Sequence, residues 1–138
     1  MKKVYLAGAM GCYSDDTYPK QWRSEVSIYL NDYFGIINPT LYYNYGSNKH
    51  KTEKEVMRFD MRKVLESDIV LVNLKDLDKS LGTSDEILLA YLNGIPVVGF
   101  TDDSTKIHSW KCEQIDRIED GNEALKNACS YLIDFYYV

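Results

Sequence analysis

Ser80-Leu81-Gly82-Thr83-Ser84-Asp85-Glu86 lies between the most apolar run of the chain and the helical pattern that follows it. A helix start leaves backbone N–H groups without partners and favours negative charge, so a ligand gathered there is expected to be anionic. Glu86 has two readings. Thr83 and Glu86 have the T-x-x-E spacing of a capping box, in which the glutamate only satisfies backbone N–H groups. Alternatively, the helix end lowers the pKa of Glu86, keeps it ionised and presents it to a cleft as a carboxylate nucleophile. Asp60, beside Phe59 in the middle of a helical stretch, reads first as a solvated surface position. Asp68, where that stretch gives way to a strand, reads as a turn or capping residue. The tyrosines of Tyr42-Tyr43-Asn44-Tyr45 either stack on a planar ligand or pack against their own protein or a second subunit.

Other chemistries are excluded by motif. Gly8-Ala9-Met10-Gly11 offers two glycines, suited to a tight turn or to a ligand approaching the backbone. The run lacks the order G-x-G-x-x-G, and the next strand ends in Asn38-Pro39 rather than in an acidic residue placed for a ribose, so a dinucleotide site is not supported. No G-K-[ST] occurs, which removes a Walker-type phosphate loop. Cys12, Cys112 and Cys129, with His50 and His108, are too scattered to write a zinc motif. Their odd thiol count fits a reducing compartment, and the expected location is cytoplasmic. Sixteen Lys and Arg against 21 Asp and Glu give a net charge of -5 without a basic block, so no nucleic acid partner is expected. The apolar run from Val4 to Met10 is too short for a membrane span, and no membrane partner is expected.

These residues need a frame, and the apolar pattern supplies one. Lys2–Ala9 and Asp68–Leu74 read as buried strands, Gly35–Asn38 and Ile95–Phe100 as shorter ones. Helices are expected from Pro19 to just before Gly35, over Thr52–Glu66 with Thr52 and Glu55 as a capping box, from Gly82 to Leu92 closed by Asn93-Gly94, and over Ala124–Phe135. Thr101–Asp120 carries no clear period. At 138 residues, the chain is expected to form one domain. Strands alternating with helices predict a flavodoxin-like or Rossmann-like α/β three-layer sandwich around a mostly parallel five-stranded sheet. Ligands of such sheets collect at the carboxyl ends of the strands, here Gly8–Tyr13, Pro39–Tyr45, Asn73–Glu86 and the chain from Thr101.

Taken in order and spacing, Lys3-Val4-Tyr5-Leu6-Ala7-Gly8, Phe59-Asp60 followed by Asp68, Gly82-Thr83-x-x-Glu86 and Asn93-Gly94-Ile95-Pro96-Val97 resemble the nucleoside 2-deoxyribosyltransferase family, over about Lys2 to Phe100. The resemblance implies a flavodoxin-like fold, no cofactor, and exchange of the base of a 2'-deoxynucleoside through a covalent sugar–enzyme intermediate. Its partners would be a nucleoside or nucleotide and a free nucleobase. A homo-oligomer is implied, with active sites shared between subunits. Glu86 matches the family's nucleophile, Asp60 the carboxyl group that handles the departing base, and Tyr5 the tyrosine that orients the nucleophile. Candidate substrate-binding residues are Gly8, Ala9, Trp22, Tyr43, Asn44, Asp78, Ser80 and Gly82. The match departs from the transferases at Ser80, where they commonly carry an aspartate for the sugar hydroxyls, with Asp78 as a substitute. Ser-Leu-Gly is instead similar to the sister branch that hydrolyses deoxynucleoside 5'-monophosphates, although that branch has a basic residue in the first loop, which Gly8–Tyr18 lacks. A non-catalytic nucleotide-binding or sensor module is the alternative from another class.

Overall fold

The computed structural model describes residues 1–43 and 49–138. In chain order the elements are β1 (Lys3–Gly8), α1 (Thr17–Leu30), β2 (Gly35–Ile37), α2 (Glu53–Leu65), β3 (Ile69–Asn73), α3 (Leu81–Leu92), β4 (Val97–Thr101), α4 (Ser109–Gln114), β5 (Arg117–Asp120) and α5 (Ala124–Tyr136). The strands form a sheet of order β2-β1-β3-β4-β5 in which every pair is parallel.

Alternation along β1 explains the three layers. Val4 and Leu6 face one side and pack with Trp22, Val26 and Leu30 of α1 and with Ala128 and Leu132 of α5. Tyr5 and Ala7 face the other side and pack with Val64 of α2 and with Ile87 and Ala90 of α3. Because both faces are covered, β3 is buried along its whole length, which is why it reads as an uninterrupted apolar run. Gly8 continues the first alternation: a Cβ there would lie 2.7 Å from Cζ2 of Trp22, so glycine lets α1 close on the strand. This close helix–strand packing is neither the tight turn nor the ligand approach expected of Gly8, whereas Gly94 ends α3 at φ +68 as expected.

Several boundaries differ from expectation. Helix α1 stops at Leu30, whose carbonyl accepts from the N–H groups of both Tyr33 and Phe34, so Tyr33 lies in the turn. Helix α3 begins one residue earlier than its glycine suggested. The unassigned stretch holds α4 and β5. The first is only six residues long, and the second is an edge strand, RIED, whose charged ends show no apolar run.

Strand order reverses at β1 and β3, and the chain leaves these two strands toward opposite faces of the sheet, to α1 and to α3. This opens the crevice in which sheets of this topology hold ligands.

Candidate active site

A cavity of ≈ 680 Å³ occupies the crevice on the α2/α3 side, with Tyr5, Gly8, Gly11, Arg23, Tyr43, Asp60, Ser80, Gly82 and Glu86 in its wall. A space of this size accommodates a ligand of a few hundred daltons. Tyr5 reaches it because odd positions of β1 point to that face, and its hydroxyl donates to Oε2 of Glu86 at 2.5 Å.

Capping does not occupy Glu86. Ser80 is the N-cap of α3: its Oγ accepts from the Thr83 N–H at 3.3 Å and shares a hydrogen bond of 2.7 Å with Thr83 Oγ1. The T-x-x-E reading therefore fails, because the helix starts at Leu81 and Glu86 stands beyond the first turn. At Thr52 the capping half of the box forms, with the Glu55 N–H donating to Thr52 Oγ1, while Glu55 Oε2 accepts from the N–H of Lys51 rather than from that of Thr52. The expected lowering of the Glu86 pKa is also overturned. A helix dipole fades within its first turn, and removal from water dominates instead, pushing the Glu86 carboxyl up to about 8. The Tyr5 hydroxyl and the Arg23 charge oppose this rise, while the nearby Asp60 and Asp85 charges add to it.

Asp60 is not a solvated surface position. It is partly buried in the cavity wall, and Oδ1 accepts from the Tyr43 hydroxyl at 2.7 Å. Burial raises its pKa above the ordinary carboxylate range, against the opposing effects of the Tyr43 hydrogen bond and of His50 and Arg23. The tyrosine-rich segment thus packs partly on its own protein: the rings of Tyr42, Tyr43 and His50 gather around Phe59 at centroid distances of 5.2, 6.3 and 5.4 Å. Asp68 stands at the helix-to-strand junction, but rather than making the expected turn or cap it ties β1, its Oδ2 accepting from the Lys3 N–H at 2.8 Å.

The two loops of the crevice are clasped to each other. The Tyr13 hydroxyl donates to Oδ2 of Asp76 at 2.7 Å, and Asp76 holds a left-handed conformation at φ 57 while pairing with Lys79 at 3.7 Å.

Of the expected substrate-binding residues, Gly8, Tyr43, Ser80 and Gly82 come together in the cavity wall. Three do not. Trp22 is 3% exposed and packs edge-on against Phe100 on the opposite face of the sheet, as its even-numbered contact Gly8 requires. Ala9 is buried outside the lining, and Asp78 faces a separate depression with Leu77 and Lys106. Asn44 lies outside the described residues. Arg23 was missed. Its signal is its place in the buried stripe Pro19, Trp22, Arg23, Val26 and Leu30, where a cation has no ordinary reason to stand.

The arrangement can move a proton and attack an electrophile. Two carboxyl groups whose proton affinities are both shifted upward line one cavity, each accepting from a tyrosine hydroxyl, a setting in which acid and base roles can be divided between like groups. Among the described residues, no three His, Cys, Asp or Glu side chains gather as a metal ligand set, and no helix is long and apolar enough to cross a membrane.

No family model matches the chain, and no curated protein matches it. Among solved structures, a 2-deoxyribosyltransferase from Bacillus psychrosaccharolyticus is similar at TM-score 0.71 and 18% identity, over 94% of this chain and 91% of that one. The CMP N-glycosidase BcmB of Clostridium botulinum is similar at TM-score 0.67 and 16% identity, over 98% and 99%. A conserved protein from Enterococcus faecalis V583 is similar at TM-score 0.63 and 20% identity, over 95% and 87%. At these identities the likeness establishes a common α/β fold.

Proposed function

We propose that this chain is a member of the nucleoside 2-deoxyribosyltransferase family and exchanges the base of 2'-deoxyribonucleosides through a deoxyribosyl ester on Glu86. One observation carries the reading: Tyr5, Asp60 and Glu86, picked out from three separate segments, line one cavity, with the Tyr5 hydroxyl on the Glu86 carboxyl. Two structural neighbours, a 2-deoxyribosyltransferase and a CMP N-glycosidase, support the same chemistry.

The steps balance as follows. A Glu86 carboxylate oxygen bonds to C1' as the C1'–N bond breaks, and the electron pair leaves with the base nitrogen. Asp60 supplies the proton that the base takes up. A second base then attacks C1', Asp60 recovers its proton, and Glu86 is released as carboxylate, giving ping-pong kinetics and retained configuration. The reactive form has Asp60 protonated and Glu86 ionised. The Tyr5 hydrogen bond opposes the raised proton affinity of Glu86 and so favours that form, and positive charge developing at C1' stabilises the Glu86 anion as the reaction proceeds.

A second reading, hydrolysis of deoxynucleoside 5'-monophosphates, is favoured by Ser80 and Lys79 at the cavity wall beside the start of α3, where the helix end favours negative charge. Incubation with deoxyinosine and free cytosine, and separately with deoxynucleoside monophosphates, distinguishes the two. Exchange without free sugar supports transfer, and release of base with deoxyribose 5-phosphate supports hydrolysis. A mass spectrum carrying a deoxyribosyl adduct on the peptide of Glu86 supports either. Full activity of Glu86→Ala in both assays would refute both. A binding or sensor module is the outcome if nucleosides bind and none is turned over. The subunits are proposed to associate with shared sites, which light scattering of the purified chain checks.

A further inference from the structure

Arg23 is 1% exposed, and its guanidinium donates to three backbone carbonyls: Nε to Leu6 at 3.2 Å, Nη1 to Pro19 at 3.0 Å and Nη2 to Gly8 at 3.1 Å. The sheet explains the choice of acceptors. Strand β2 pairs with β1 only as far as Tyr5, and the Lys2 carbonyl, which points to that side, accepts from Gly35. Carbonyls alternate sides along a strand, so those of Leu6 and Gly8 also point toward β2, beyond its end. Arg23 stands in for the missing strand.

Three neutral carbonyls do not require a full positive charge. A guanidinium stays protonated at every working pH, and burying it is costly unless opposite charge lies close by. Arg23 forms part of the same cavity wall as Asp60 and Glu86.

We infer that Arg23 is a positioning residue that acts through its charge: besides tying the end of β1, it is the buried counter-ion that lets the Asp60/Glu86 pair carry negative charge in a desolvated cavity. The role rests on the proposed reaction, which needs an ionised Glu86. The titratable and charged groups that share the cavity wall with it are Tyr5 of β1, Cys12, Tyr43, Lys79, Glu53 and Asp60 of α2, and Asp85 and Glu86 of α3, and the His50 charge acts on Asp60. Its charge works to lower the proton affinities of Tyr5, Asp60 and Glu86 alike, whereas Asp85 works to raise that of Glu86.

The test needs no substrate, so its failure and that of the proposed reaction are distinguishable. The carboxyl carbon of Glu86, assigned by its disappearance in Glu86→Gln, is titrated by NMR in the ligand-free protein, in Arg23→Gln and in Arg23→Lys. Loss of charge in Arg23→Gln is expected to raise the Glu86 midpoint by about half a unit or more, a roughly threefold fall in its ionised fraction below the midpoint. Arg23→Lys, which keeps the charge but spans fewer carbonyls, is expected to melt lower while titrating within a few tenths of a unit of the parent. A folded Arg23→Gln with an unmoved midpoint would overturn the inference. If Arg23→Gln is unfolded at pH 8, it is compared at pH 5, where Glu86 is protonated. Recovery of the native spectrum there supports a role for the charge, and unfolding at both values reduces Arg23 to a backbone tie.

Discussion

The hydroxyl of Tyr5 gives the sharpest handle on the proposed chemistry, because its removal in Tyr5→Phe alters one hydrogen bond and leaves the buried ring in place. The bond is 2.5 Å long and ends on a carboxyl group. A hydrogen bond to a charged group contributes about 1.5–3 kcal/mol, or about 1–2 pKa units at 1.36 kcal/mol per unit. In the parent, the alkaline limb of kcat/KM reports loss of the last proton from the Asp60/Glu86 pair and is expected near the Glu86 value of about 8. Between the two limbs, the reactive form is a fraction set by the difference in proton affinity of the two carboxyls. Making Glu86 more basic by about 1–2 units therefore lowers the plateau of kcat/KM, by up to about 10- to 100-fold, and moves the alkaline limb up. The measurement is kcat/KM from pH 5 to 10 on whichever substrate the exchange and hydrolysis assays identify. A lowered plateau with the alkaline limb still near its parent position would refute the reasoning, because Tyr5 would then act on something other than the Glu86 proton.

The remaining predictions use the same geometry. Glu86 binds its proton more tightly folded, up to about 8, than at its ordinary 4.5, so its favourable contribution to stability is complete below that lower value and is lost as pH rises through the upper one. Glu86→Gln should accordingly melt at least about 3 °C above the parent at pH 8 and close to it near pH 4, and a lower melting temperature at pH 8 contradicts this. Tyr43→Phe removes the donor that opposes the raised pKa of Asp60, so the acid limb of the same profile should move up by about one unit, and an unmoved limb would take Asp60 out of that role. In Gly8→Ala the new Cβ meets the ring of Trp22, which is confined by Phe100 and Arg23, so denaturant unfolding should register a loss of about 1–3 kcal/mol. Unchanged stability would mean that α1 can retreat from β1.

The layered fold was legible because burial on both faces leaves a direct trace in composition. The apolar runs at β1 and β3, the stop at Asn38-Pro39 and the Asn93-Gly94 helix end are local consequences of chain chemistry. Tyr5, Asp60 and Glu86 are singled out by the resemblance to the nucleoside 2-deoxyribosyltransferase family, since position in the chain alone reads Asp60 as surface and Glu86 as a cap. The same residues could not show whether Glu86 caps a helix or faces a cavity. That choice depends on where α3 begins, and Ser80 took the cap that Thr83 had been expected to supply. Nor could the chain give the sign of the Glu86 pKa shift, since desolvation is a property of the neighbours that folding assembles. Trp22 and Arg23 are adjacent in sequence, but one faces the core opposite the cavity while the other forms part of the cavity wall. The sequence alone determined which residues could do chemistry and that a parallel sheet would carry them. Only the tertiary structure decided that burial raises the proton affinity of both carboxyls and that Arg23 shares their cavity wall, because electrostatic energy depends on distances and dielectric surroundings that exist only once β1, α1, α2 and α3 are packed.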